Sequence, residues 1–138
     1  MKFIKKINEY YNSSEHYSHS DEYGSIEGIV HYDEEKVRNR FSKMRVDPND
    51  YIDELFYPVA FLNNININEE HRNKGVGGAM YFDFESFCEF NGLENIVLEA
   101  DLLEAQQEGF DLTKWYKKLG FETIGETSDN PIMVKYLS

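Results

Sequence analysis

Two hydrophobic rhythms divide this chain. Short apolar or alternating runs occupy Ser25–Tyr32, Val59–Ile67, Ile96–Ala100, Phe121–Glu126 and Ile132–Leu137. Runs of that length bounded by turn residues predict strands. Along Val59–Ile67 the alternation places Ala60, Leu62 and Asn64 on one face. Between these runs the apolar period lengthens to that of a helix. Asp33–Lys43 brings Val37 and Phe41 to one side, and Val76–Phe90 aligns Val76, Met80, Phe84, Phe87 and Cys88 while Asp83, Glu85, Ser86 and Glu89 face water. Leu112–Leu119 predicts a further helix, with Gly120 as its C-cap, and Asn91-Gly92 ends the one before it. The flanks are less regular. Phe3, Ile7 and Tyr10 or Tyr11 share a helical face, predicting a short helix over Lys2–Tyr11; Asn12–Gly24, rich in Ser, His, Asp and Tyr, predicts a loop. Asp47–Asp50 reads as a turn, Tyr51–Phe56 fits helix or strand equally, and Asp101–Asp111 reads as a long acidic loop or loose helical turn. Ser128-Asp129-Asn130-Pro131 predicts the turn of a closing antiparallel hairpin.

Strand, helix, strand, helix, strand, strand predicts an α+β fold with a mixed sheet. The strand–helix–strand unit makes Val59–Ile67 and Ile96–Ala100 a parallel, right-handed pair. A length of 138 residues predicts one domain over 1–138, and 41% hydrophobic content supplies its core. No apolar run approaches the roughly 18 residues of a membrane span. The charged start, M-K-F-I-K-K-I-N-E-Y-Y, lacks a signal peptide's apolar stretch, so a cytoplasmic location is expected. Cys88, the only cysteine, reads as a small core residue. Net charge changes the picture more. At −12 the chain is a poor nucleic-acid binder, because phosphate contacts need clustered Lys and Arg. An acidic surface serves solubility, and it also attracts cationic substrates such as amines. His16, His19 and His31 have no convincing metal-ligand spacing, and no metal is expected. Oligomeric state stays open between monomer and homodimer.

The chemistry concentrates at His71–Met80, H-R-N-K-G-V-G-G-A-M, between a predicted strand and a predicted helix. The first turn of a helix carries unpaired N–H donors and partial positive charge, so an anion fits there. Gly75, Gly77 and Gly78 allow a bulky phosphate to approach the backbone, and Arg72 and Lys74 add mobile positive charge. The turn is neither a Walker A loop nor a dinucleotide fingerprint; Met80 stands where the latter needs its third glycine. The pattern Arg72-x-x-Gly75-x-Gly77 resembles the acyl-CoA pyrophosphate loop of the GNAT-type N-acetyltransferase superfamily, written [QR]-x-x-G-x-[GA]. Trp115-Tyr116-Lys117-Lys118-Leu119-Gly120-Phe121 resembles that family's second hallmark, an aromatic-Tyr segment ending a helix before Gly-Phe. The resemblance covers Pro58 to Leu137.

The resemblance implies a GNAT-like mixed, twisted sheet, with the parallel pair splayed at the cofactor cleft and helices on both faces. It implies acetyl-CoA as acyl donor, its pantetheine arm along Ile65, Asn66 and Ile67 and its pyrophosphate on the N–H groups from Asn73 through Lys74, Gly75, Val76 and Gly77 to Gly78. The implied reaction is direct acetyl transfer to a primary amine, on a small molecule or a peptide. Tyr116 takes the position that assists the departing thiolate. Glu99, in Leu98-Glu99-Ala100, takes a position where some family members keep a base, with Asp101 in reserve. Asn63, Asn64, Asn66 and Asn68 crowd the end of the first strong strand, where some face the acceptor groove or simply form a polar face. The chain departs from the pattern at Gly109, where the family often has a cofactor-contacting asparagine. A non-catalytic acyl-CoA-binding or regulatory protein of the same shape is the alternative.

Overall fold

The computed structural model describes residues 2–3, 14–103 and 110–137. Its strands are β1 (Lys2–Phe3), β2 (Ser14–Ser20), β3 (Gly24–His31), β4 (Phe56–Tyr57), β5 (Val59–Ile67), β6 (Asn95–Glu99), β7 (Glu122–Glu126) and β8 (Pro131–Tyr136). Its helices are α1 (Glu34–Lys43), α2 (Val76–Phe90) and α3 (Leu112–Lys118). Six strands form one mixed sheet in the order β2-β3-β5-β6-β8-β7, and β1 pairs with β4 in a separate two-stranded parallel ribbon. Only β5 and β6 run parallel within the large sheet.

Both faces of this sheet are covered, which explains why Val59–Leu62 of β5 and Ile96–Leu98 of β6 are continuous apolar runs. Ala60, Leu62, Ile96 and Leu98 point to one side, into a core with Met80, Tyr81, Phe84 and Cys88 of α2 and Tyr116 of α3. Val59, Phe61 and Val97 point to the other side, against Val37 and Phe41 of α1 and Tyr51, Ile52 and Leu55 of the connection after it. Close packing fixes one residue type on the α2 side. A Cβ on Gly28 of β3 would sit 2.5 Å from the Phe84 ring, so β3 and α2 approach this closely only with glycine there.

The helix starts differ in a way that matters below. Asp33 caps α1 by accepting from the Lys36 N–H at 2.8 Å, and Asp111 caps α3 by accepting from the Lys114 N–H at 3.1 Å. α2 has no side-chain cap: it starts from Gly75 in the left-handed conformation, φ 81°.

Three expectations change. Lys2–Phe3 is strand, not helix; the rest of the expected Lys2–Tyr11 helix lies outside the described residues. The expected loop over Asn12–Gly24 contains β2, whose His and Ser content conceals an edge strand. Its one strong anchor is Tyr17, with ring centroids 5.1 Å from Phe84 and 5.0 Å from Phe87; an edge strand with a solvated face needs little apolar sequence. Asn64 does not share a face with Ala60 and Leu62. Gly28 pairs with Leu62 and Glu27 with Asn64, so Asn63 is an extra residue on β5. This bulge reverses the alternation and puts Ile65 and Ile67 on the α2 side instead. The undecided stretch at Tyr51–Phe56 is a short 3-10 turn, Ile52–Glu54, leading into β4.

Candidate active site at a fork in the sheet

The strands β5 and β6 pair at Ala60–Ile96, Phe61–Val97 and Leu62–Leu98 and then part. β6 ends at Glu99, while β5 continues to Ile67 with β3 still on its far side. The near edge of β5 from Asn63 onward therefore presents backbone donors and acceptors to a cleft instead of to a strand. The cleft has a volume of about 300 Å³. Its floor is this edge, its rim the glycine turn at the start of α2, and its far wall α3 with the end of β6.

Of the residues expected at the site, Ile65, Asn66, Ile67, Arg72, Asn73, Gly75, Gly77, Gly78, Glu99 and Tyr116 line this one cleft, together with Asn63, Asn64 and Asp101. Lys74 and Val76 are not among its lining residues: Lys74 is exposed, and Val76 packs against the core on the α2 side. Arg72 has a backbone partner. Its Nε donates to the carbonyl of Ile67 at 2.9 Å and ties the turn to the end of β5. Gly109, where the family pattern departs, lies outside the described residues.

The turn keeps its donors unspent. The first amide of this region to bond inside the helix is Ala79 N–H, to the carbonyl of Gly75 at 3.1 Å. Among the described residues the N–H groups of Asn73 through Gly78 have no backbone or side-chain partner. Asn73, at φ 64°, and Gly75 both adopt left-handed backbone, which curls the turn. A Cβ on Gly78 or Gly75 would meet open space, whereas one on Gly77 would press to 3.3 Å from the Trp115 ring and 3.5 Å from Ile67 Cγ1. Unsatisfied amides at a helix start, without the acidic cap that the other two helices carry, suit an anionic group.

Tyr116 is buried at the start of the far wall, edge-on to Trp115 and Phe121 with centroids 5.1 and 5.7 Å away. Burial pushes its phenol up to about 12, so at neutral pH it carries its proton and can donate. Glu99 is half-buried at the end of β6. Its Oε2 accepts from Asn130 Nδ2 at 2.9 Å and from Thr127 Oγ1 at 3.3 Å, both in the turn between β7 and β8. Thr127 Oγ1 in turn accepts from the Asn130 N–H at 3.0 Å, so the turn holds itself and the carboxylate together.

Sequence reasoning missed the site roles of Trp115, Phe110 and His71, which also line the cleft. Trp115 left a signal, since a large aromatic beside the expected tyrosine on a short helix has few places to go but the groove. Thr127 and Asn130 left none, because they reach Glu99 across sequence separations of 28 and 31.

No protein-family model matches this chain, and no curated protein sequence does. Solved structures do match. The chain is similar to PaiA N-acetyltransferase from Thermoplasma acidophilum, solved in complex with coenzyme A, at 14% identity and TM-score 0.56 over 94% of this chain and 64% of that one. It is similar to the spermidine/spermine N-acetyltransferase SpeG from Vibrio cholerae at 15% identity and TM-score 0.55, over 94% of this chain and 70% of that one. It is similar to arylalkylamine N-acetyltransferase 2 from Aedes aegypti at 15% identity and TM-score 0.55, over 83% of this chain and 68% of that one. The chain thus spans 64% of the length of PaiA. At these identities the likeness is one of fold.

Proposed function

This chain has the GNAT N-acetyltransferase fold, with its forked parallel pair, and from that premise we propose that it transfers an acetyl group from acetyl-CoA to a primary amine by direct attack. The observation that carries the reading is the set of unspent amides from Asn73 to Gly78 opening on the same cleft as the unpaired edge of β5 and Tyr116. A diphosphate fits the first, an extended amide-bearing arm fits the second as an added strand, and a thioester placed at the fork comes within the wall that Tyr116 forms.

The chemistry follows from ordinary acidities. A lysine-like amine, at about 10.4, is neutral in only about one molecule in 2,500 at pH 7, a cost of roughly 4.6 kcal/mol. In this reading Glu99, at the end of β6 in the same cleft, takes the amine's proton as the C–N bond forms. As the C–S bond breaks, the leaving thiolate meets the Tyr116 O–H. With the phenol at about 12 and a thiol at about 8.5, full proton transfer is uphill by about 5 kcal/mol. Tyr116 therefore stabilises the thiolate by a hydrogen bond and keeps its proton. A backbone N–H on the open edge of β5 supplies the donor for the developing oxyanion.

Acetyl-CoA turnover with a panel of amines tests this, followed by thiol release. Tyr116→Phe is expected to lower kcat about 10-fold or more with little change in acetyl-CoA affinity, and Glu99→Gln to lower turnover most near neutral pH, where the carboxylate is ionised and the amine still carries its proton. Tight CoA binding with no acetyl transfer to any amine supports the other reading, an acyl-CoA-binding or regulatory protein. One observation favours that reading: both donors on Oε2 of Glu99 belong to a turn that the carboxylate also stabilises.

A further inference from the structure

The pairing of β5 with β6 stops at Leu62–Leu98, so Asn63 and Glu99 are the first residues of the two diverging strands. Asn63 is also the extra residue of the β5 bulge. The side chain that meets this vertex comes from α1. Arg40 Nη1 donates to Asn63 Oδ1 at 2.6 Å, and its guanidinium lies 5.0 Å from the centroid of the Phe61 ring, the preceding β5 residue on the α1 face. Arg40 is half-buried, and its loss of water is partly offset by the attraction of the Glu99 carboxylate across the vertex. Arg40 does not line the cleft; it stands behind it.

We propose that Arg40 is a positioning residue of the acetyl transfer, holding Asn63 at the vertex of the fork from behind. The inference rests on the acetyltransferase reading for its kinetic consequences only. A guanidinium is suited to the task because it donates in fixed directions, stacks flat on an aromatic ring and keeps its charge. Two contacts meet in it: a hydrogen bond to the bulge and the face of Phe61. The other side of the vertex, Glu99, is held separately. The β7–β8 turn meets Glu99 with neutral Thr127 and Asn130, β5 lines the same cleft with neutral Asn63 and Asn64, and the other charged group sharing the cleft near the end of β6 is Asp101, an anion.

Arg40→Gln is the test, with Arg40→Lys as the variant that keeps the charge and loses the planar fork. In Arg40→Gln, kcat is expected to fall about 10-fold or more, because Asn63 loses the fixed donor that orients it at the vertex. The KM for acetyl-CoA is expected to stay within about 3-fold. In Arg40→Lys kcat is expected to fall as well, because the charge remains but the fixed direction of the donor is lost. An Arg40→Gln protein with wild-type kcat overturns the proposal, and so does one in which the acetyl-CoA KM rises while kcat holds. The side-chain amide signals of Asn63 need no turnover: they move in Arg40→Gln if Arg40 holds Asn63, and unchanged signals overturn the proposal even if no amine is acetylated. Should Arg40→Gln unfold, Asn63→Ala removes the hydrogen bond from the other side; a loss of kcat with the acetyl-CoA KM within about 3-fold supports the proposal, and wild-type kcat overturns it.

Discussion

Gly78 separates the stability of α2 from the task of its first turn. It is the third residue of the helix, and a side chain there points into open space. Aspartate near a helix start favours the helix by about 0.3–1 kcal/mol, through the unpaired amides and the helix dipole. The same carboxylate would occupy the amides that the proposed diphosphate needs. Gly78→Asp is therefore expected to melt at or slightly above the wild-type temperature while losing at least 10-fold in CoA affinity, read by calorimetry. Unchanged affinity would falsify the assignment of the turn. Gly77→Asp gives a less clean answer, because its Cβ already presses on Trp115. At this scale the sequence was informative wherever one short segment carries the geometry: the glycine turn, Tyr116 at its helix end and Glu99 at its strand end. It was silent on Arg40, which reaches Asn63 from 23 residues away, and on the turn that grips Glu99.

Among the elements, β3 and β5 carry most of what alternation alone misreads. The pattern locates β5 without error, but one extra residue reassigns every side chain after it, and nothing in V-A-F-L-N-N-I-N-I marks which asparagine is the bulge. The edge strand β2 escaped notice because its sequence is that of a loop. β3 ends at His31, which is buried, with Nδ1 2.7 Å from Ser14 Oγ of β2. Burial first, then Arg40 and Lys36, push its imidazole down to about 4 from the usual 6.5. The folded state therefore holds His31 neutral where the unfolded chain binds a proton. The contribution is complete above pH 6.5 and is lost as the pH falls toward 4, by at most about 3 kcal/mol from 2.5 × 1.36. Thermal melts of wild type and His31→Gln should converge as pH falls from 7.5 to 4.5, whatever the acid response of the carboxylates common to both. Parallel curves would mean that His31 does not titrate between those limits.

For the whole molecule, a net charge of −12 acts with opposite sign on the two proposed substrates. It draws in a cationic amine and repels acetyl-CoA, and salt screens both effects over a Debye length of about 8 Å at physiological strength. Raising salt from about 0.02 to 0.2 M, which spans that screening range, is expected to raise the KM for the amine and lower that for acetyl-CoA; two slopes of equal sign would show that local charges outweigh the global field. The α+β class, the parallel pair and the closing hairpin were legible because each follows from the order of short runs and turns. The forking was implied by resemblance alone, since no periodicity records where two strands stop pairing. Its consequence is mechanical. Three rungs join β5 to β6, against eight between β3 and β5 and five between β6 and β8. The sheet is thus two ribbons of three strands stitched at a narrow waist, and any extended guest lying in the gap lengthens the seam, bracing the molecule where it is most lightly sewn.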